Sequence, residues 1–208
     1  MKYTSLAVAA LSLTAAHAVT LVSPTLNNGG FQTNGGSNTN YTTGTNWFNY
    51  GAGSETTNVY LNNNGLVSGA SSPSQNTGWT ISDGNVFNLT FDIVESGATA
   101  GNPINWTLYY YGNEGNVGFD ETSDTSAVAL FSGSGFTSGT TIESGDLTFD
   151  AGTEPDAVGQ TLYLRFNRNT AGGFPTIDDV NLTAVPEPSS AALVGLGGVA
   201  LLARRKRG

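Results

Sequence analysis

Residues 85–94 read NVFNLTFDIV, and their alternation decides the fold. Phe87, Leu89, Phe91 and Ile93 take one side, and Asn88, Thr90 and Asp92 take the other. A period of two puts one greasy and one wet face on an extended strand, where a helix would need apolar residues every three or four positions. The run INWTLYYY, residues 104–111, repeats the pattern, with Ile104, Trp106, Leu108 and Tyr110 on one face and Asn105, Thr107, Tyr109 and Tyr111 on the other. TLYLRFN, residues 161–167, does so again with Leu162, Leu164 and Phe166.

Between these runs lie ESGATAGNP, YGNEGN, FSGSGFTSG and NTAGG, which are turn material because Gly and Asn accept positive φ and Ser, Asn and Asp bond to nearby backbone. Residues 27–74 are richer in Asn, Gly, Thr and Ser and carry only the weak strand signals NWFNY and TNVYL, so long loops and edge strands are expected there. No repeat of fixed period points to a solenoid or propeller. Short strands joined by turns predict an all-β domain of antiparallel sheets packed face to face as a β-sandwich.

The two ends differ from this body. Lys2 precedes an apolar run, Leu6 to Ala16, that finishes at Ala16-His17-Ala18, which reads as a secretory signal helix at 1–18 cut between Ala18 and Val19. At the other end Val185-Pro186-Glu187-Pro188 opens a segment in which residues 191–203 are apolar and Arg204, Arg205, Lys206 and Arg207 are basic. As a helix, that apolar stretch reaches about 20 Å, short of a hydrocarbon core of about 30 Å, which suits a brief stay in the membrane better than a permanent one. The basic cluster would stop transfer on the cytoplasmic side, and the two prolines, which lack amide donors, would keep the motif extended and open to a peptidase. A plain short membrane anchor is the alternative.

Of the seven Lys and Arg residues only Arg165 and Arg168 fall within 19–203, against all sixteen acids, a formal balance of −14. Nucleic acid and anionic lipid surfaces need clustered cations and are excluded as partners of the body. The sole His, His17, lies in the signal segment and the chain has no Cys. Removal of that segment leaves no imidazole or thiol for Ser-His-Asp or Cys-His catalysis, for the usual zinc sites or for disulfides. Carboxylates, tyrosines and oxygen ligation of calcium remain.

The C-terminal order of Pro-Glu-Pro, apolar helix and basic tail resembles the PEP-CTERM sorting signal. That resemblance implies an exosortase-type membrane peptidase as partner, transient insertion in the inner membrane through the C-terminal helix, and delivery to the cell surface or beyond. Domains are then expected at 1–18 (signal peptide), 19–184 (β-sandwich) and 185–208, the last divided into motif 185–190, transmembrane helix 191–203 and basic tail 204–208. GGFPTIDDVNLT, residues 172–183, resembles the closing strand of jelly-roll domains of the galactose-binding-like or laminin-G-like kind. It implies a sandwich of jelly-roll type and places Asp178 or Asp179 in a structural role or near a cation.

Candidate sites follow from these limits. Tyr109 and Tyr111, outward on their strand, with Trp47 and Trp79, are the expected stacking platforms for sugar rings, while Trp106 and Tyr110 are expected in the core. Asp120, Glu121 and Asp124 offer a calcium loop without EF-hand spacing, and a solvated loop is the blander reading. The four Asn-x-Ser/Thr triplets at Asn40, Asn88, Asn105 and Asn181 are discounted as outward polar alternation. The expected function is a structural or interaction protein associated with exopolysaccharide and not an enzyme, requiring no cofactor; a carbohydrate-binding module, with calcium ordering a loop, is the alternative. A polysaccharide hydrolase or lyase would need two carboxylates on a concave face or a Tyr-Arg pair supplied by Arg165 or Arg168.

Overall fold

The computed structural model describes residues 17–26, 47–48, 59–60, 73–93, 103–117, 119, 126–135, 139–168 and 176–186. The strands are β1 (Val19–Val22), β2 (Trp47–Phe48), β3 (Val59–Tyr60), β4 (Ser74–Thr80), β5 (Val86–Ile93), β6 (Ile104–Tyr111), β7 (Ala127–Gly135), β8 (Thr140–Glu143), β9 (Leu147–Thr148), β10 (Thr161–Arg168) and β11 (Thr176–Val185). One sheet has the order β1-β11-β5-β8, with β3 also on β11 and β9 also on β5. The other has the order β2-β4-β10-β6-β7. Among the described residues the first six strands alternate between the sheets, every pairing is antiparallel, and the architecture is a β-sandwich of jelly-roll type. The weak signals at 47–48 and 59–60 are two-residue strands, β2 at a sheet edge and β3 on β11. The signal helix and the C-terminal helix expected at the two ends lie outside the described residues. No helix among those described is long and apolar enough to cross a membrane.

The alternation read in 85–94 is realised in β5, where Phe87, Leu89, Phe91 and Ile93 are buried and the residues between them half-buried. These side chains meet Leu162, Leu164 and Phe166 of β10 and Ile104, Trp106, Leu108 and Tyr110 of β6 in one core. Phe91 and Phe166 stack edge to face across the sandwich at 5.0 Å. Each large apolar side chain withdrawn from water stabilises the fold by about 2 kcal/mol, so the period of two is what closes the sheets on each other. Trp106 and Tyr110 are core residues, as expected.

β11 departs from a simple period. Ile177 is buried, but so are Val180, Leu182 and Ala184, which requires a change of phase between them. A bulge between Asp178 and Asn181 supplies it, with Asp179 at φ 47°. Asp178 then stands opposite Asp92 of β5, and the Thr141 hydroxyl donates to Asp92 Oδ1 at 2.6 Å. Burial raises the Asp178 carboxyl above the ordinary range; the Asp179 amide, donating to Asp178 Oδ1 at 2.8 Å, opposes this, and the charges of Asp179 and Asp92 add to it.

A raised carboxyl keeps its proton longer in the folded chain than in the unfolded one, so its contribution to stability is lost as pH rises from the ordinary aspartate value through the folded one. Asp178→Asn is therefore expected to stabilise the protein by about 0.5 kcal/mol at pH 7, by removing a like charge directly across the strands. The gain should vanish below about pH 4, where Asp178 is protonated in both states. Paired urea titrations at the two pH values check this.

Candidate functional site

Residues 105, 107, 109 and 111 of β6 point away from the core, as their alternation requires. Tyr109 and Tyr111 nevertheless are not open platforms: they are only 1% and 2% exposed. With Tyr163, Phe119 and Ala127 they form a second apolar cluster on the far side of the five-stranded sheet. Tyr111 packs edge to face on Tyr163 at 4.9 Å and on Phe119 at 5.2 Å. The Arg165 guanidinium lies 4.7 Å above the Tyr109 ring. Asn76 Nδ2 donates to the Tyr163 hydroxyl and that hydroxyl donates to Glu114 Oε1, each at 3.2 Å. Burial, first, and then the neighbouring Tyr111 push the Tyr109 phenol well above its usual range. Tyr109 and Arg165 thus pair, and both side chains are buried. Period alone gives the direction of a side chain and not what lies over it, which is why the exposure expected for Tyr109 and Tyr111 is corrected here.

Among the described residues an open concavity lies elsewhere, at the end of the sandwich where β4, the turn before β5 and the end of β11 meet. Thr161 pairs with Thr80 and Tyr163 with Asn76, so three residues of β4, Thr77, Gly78 and Trp79, stand against Leu162 alone. The excess is absorbed locally. Gly78 takes φ 68°, its amide donates to Asn76 Oδ1 at 2.9 Å, and Thr77 Oγ1 donates to the Leu162 carbonyl at 2.7 Å. The bulge sets Trp79 half-buried against the core edge.

Asn85 fixes the indole. Its Oδ1 accepts from Trp79 Nε1 at 3.0 Å and from the Ser82 amide at 2.8 Å, and its own amide donates to the Ser82 carbonyl at 3.2 Å. Asn85 is buried. Asp83, at the tip of that turn, accepts from the Ala151 amide at 2.9 Å. The cavity so formed has a volume of about 630 Å³ and is lined by Gly78, Trp79, Thr80, Ser82, Asp83, Asn85 and Pro186. Pro186 reaches it because Val185 pairs with Val86, the residue after Asn85.

An aromatic wall with a hydroxyl, amide and carboxylate rim is suited to a polar ligand that has flat apolar faces. Trp79 is the one expected sugar contact that lines it; the Trp47 side chain lies outside the described residues, although its backbone pairs with Gln75. Asn85 was missed in the sequence, where it reads only as the end of a turn. The signal that could have found it is Asp-Gly-Asn directly before a strand and six residues after a Trp. Asp120, Glu121 and Asp124 lie outside the described residues. Asp178 and Asp179 sit on the β11 bulge, and among the described residues no group of three or more acids or histidines converges as a metal site.

Val19 pairs with Ala184 in the β1–β11 ladder, and Ala18 and Val19 are exposed. β11 runs directly into the segment that opens with Pro186. Residues 184–207 match the PEP-CTERM protein-sorting motif. The sorting motif implies export and processing at the membrane by exosortase, itself a membrane protein. Of its residues, Ala184, Val185 and Pro186 are described; Glu187, Pro188, the apolar stretch and Arg204 to Arg207 lie beyond them. No curated protein matches the chain.

Among solved structures, the CBM22-1 xylan-binding domain of Paenibacillus barcinonensis Xyn10C is 14% identical, covering 83% of this chain and 98% of its own at a TM-score of 0.42. The K3 adhesin domain of Lys-gingipain from Porphyromonas gingivalis is 12% identical, over 64% of this chain and 77% of its own, at 0.34. An alginate lyase A1-II′ variant is 12% identical, over 62% and 77%, also at 0.34.

Proposed function

We propose that the protein is an exported, exosortase-sorted component of the cell surface or extracellular matrix that works by contact and not by catalysis, and that it associates with exopolysaccharide through the Trp79 cavity. The observation that carries this reading is the half-buried indole held edge-on by Asn85 in an open, polar-rimmed cavity. Its size is in the range of small-ligand sites, about 300–1,000 Å³. The sorting motif, contiguous with the last strand, supplies the location. The strongly acidic body favours neutral polymers over anionic ones.

Affinity electrophoresis in gels containing xylan or hydroxyethyl cellulose tests it. Retardation of the chain 19–186 is expected, and Trp79→Ala should weaken it by about tenfold or more, equal to about 1.4 kcal/mol. Trp79→Phe, which keeps a stacking ring, should retain part of the affinity, and Val128→Ala on β7, three strands from β4 in the sheet, should retain all of it. Circular dichroism shows whether each variant is folded. Equal retardation of folded Trp79→Ala and wild type would overturn the Trp79 assignment, and no retardation in any neutral polymer would overturn carbohydrate association. A parallel run with chelator reports whether calcium contributes.

A further inference from the structure

The groups that line the Trp79 cavity have bonding capacity that can be counted atom by atom. Asn85 lines it and is 2% exposed. Its side-chain oxygen faces two N–H donors, Trp79 Nε1 at 3.0 Å and the Ser82 amide at 2.8 Å. Only an oxygen accepts from both, so the side-chain amide has one orientation and its nitrogen points the other way. Among the described residues nothing accepts from Nδ2, yet it is not one of the polar atoms sealed from solvent without a partner. The solvent that this otherwise packed side chain meets is that of the cavity.

The same bonds decide what Trp79 offers. With Nε1 tied to Asn85, the indole has no N–H left for a ligand and meets it through its apolar ring. Asp83 is the one charged residue of the lining. Its Oδ1 accepts from the Ala151 amide at 2.9 Å, and among the described residues nothing donates to Oδ2. The wall therefore presents an apolar ring, an oriented donor and an oriented, negatively charged acceptor, with no Lys or Arg among the described residues that line it.

We propose that Asn85 and Asp83 set the specificity of this cavity: a neutral sugar unit stacked on Trp79 accepts from Asn85 Nδ2 through one hydroxyl and donates to Asp83 Oδ2 through another, while Asp83 turns away units that carry a carboxylate. The assignment rests on the carbohydrate reading above and adds to it which groups read the sugar. A hydroxyl both donates and accepts, so a sugar satisfies both residues at once, whereas a uronate brings a second anion to a lining without a cation. The net charge of the body acts on a polymer as it approaches and is screened beyond about 10 Å at 0.1 M salt; Asp83 acts on the bound unit itself.

Three substitutions separate these effects. Asn85→Asp keeps an oxygen for Trp79 Nε1 and the Ser82 amide, so the indole stays held, and removes the donor. Asp83→Asn keeps an oxygen for the Ala151 amide and removes the charge. Asp156→Asn, in the 3-10 turn at Pro155–Ala157, removes an equal charge outside the cavity lining. The full chain, in a non-ionic detergent without a sugar headgroup and at moderate salt, is run in gels containing hydroxyethyl cellulose or polygalacturonate, each against a gel without polymer. Asn85→Asp should weaken retention on hydroxyethyl cellulose by about fivefold or more. Asp83→Asn should lower the ratio of neutral to anionic retention by about tenfold, and Asp156→Asn should leave that ratio unchanged.

Wild-type retention that Trp79→Ala abolishes but an Asn85→Asp chain, folded by circular dichroism, keeps in full would overturn the donor role of Asn85. A ratio that responds equally to Asp83→Asn and Asp156→Asn, or to neither, would overturn the role of Asp83, whether or not the Asn85 variant folds, because Asp83 is exposed and its replacement retains the bond to Ala151. In both cases the Trp79 reading stands. A wild-type chain retained by neither polymer overturns that reading and this assignment together.

Discussion

Gly133→Ala is expected to destabilise the protein by about 3 kcal/mol, the upper end of the usual cost of overpacking a core, and to lower Tm by about 9 °C. Gly133 lies on β7 directly opposite Trp106 of β6. A Cβ built there would come within 2.5 Å of Trp106 Cζ2, 2.6 Å of Cε2 and 2.8 Å of Nε1. Those atoms belong to a rigid ring that is 4% exposed, so neither rotation nor bending of the indole relieves the clash.

Two other glycines set the scale. Gly135 would meet Ile142 Cγ1 and Cδ1 at 2.6 and 2.7 Å and Ile93 Cδ1 at 3.2 Å, mostly the ends of aliphatic chains that can change rotamer, so Gly135→Ala should cost about 1 kcal/mol. At Gly112 a Cβ meets nothing within 4 Å, and Gly112→Ala should stay within about 0.5 kcal/mol of wild type. Thermal melts of the three variants must fall in that order. A Gly133→Ala protein as stable as Gly112→Ala would mean that Trp106 does not pack against β7.

Asn85→Ala is the second large effect, at about 2 kcal/mol. One side-chain oxygen serves two donors, the Trp79 indole and the Ser82 amide, and alanine leaves both without it. The Asn85 carbonyl still accepts from the Phe149 amide at 2.8 Å, so the strand start survives while the turn over residues 82–85 loosens. Tm should fall by about 6 °C. Polysaccharide retention should fall with it, because Trp79 is no longer held on edge. Unchanged stability would show that the Asn85 side chain does not organise the turn, and unchanged retention in a destabilised variant would show that Trp79 needs no such support.

Much of this fold is legible before any coordinates. Phe87, Leu89, Phe91 and Ile93 had to share a face, because a strand turns its side chains through half a revolution per residue and only one side of a two-layer sandwich is dry. Trp106 and Tyr110 followed from the same arithmetic. The dense turns, and the lack of Cys and of any His beyond His17, are legible from composition instead. The sorting motif is legible for a different reason: it is read as a linear segment, and its order along the chain is its function.

Other features depend on meetings between distant parts of the chain. Tyr109 and Tyr111 face outward by period yet are buried, because burial depends on what covers a face: Tyr163 comes from 52 residues beyond Tyr111, and Phe119 from the loop between β6 and β7. The phase change in β11 is visible only when Asp178 and Asn181 are set against β5, since a bulge is a mismatch between two strands and belongs to neither. The Trp79 cavity joins a bulge in β4, a turn pinned by Asn85 and a proline more than a hundred residues later. The amino-acid sequence by itself determined a strand-built, acidic body with an address at its C-terminus. Tertiary pairing alone decided that Pro186 of that address would lie beside Trp79, because Val185 completes a ladder with Val86.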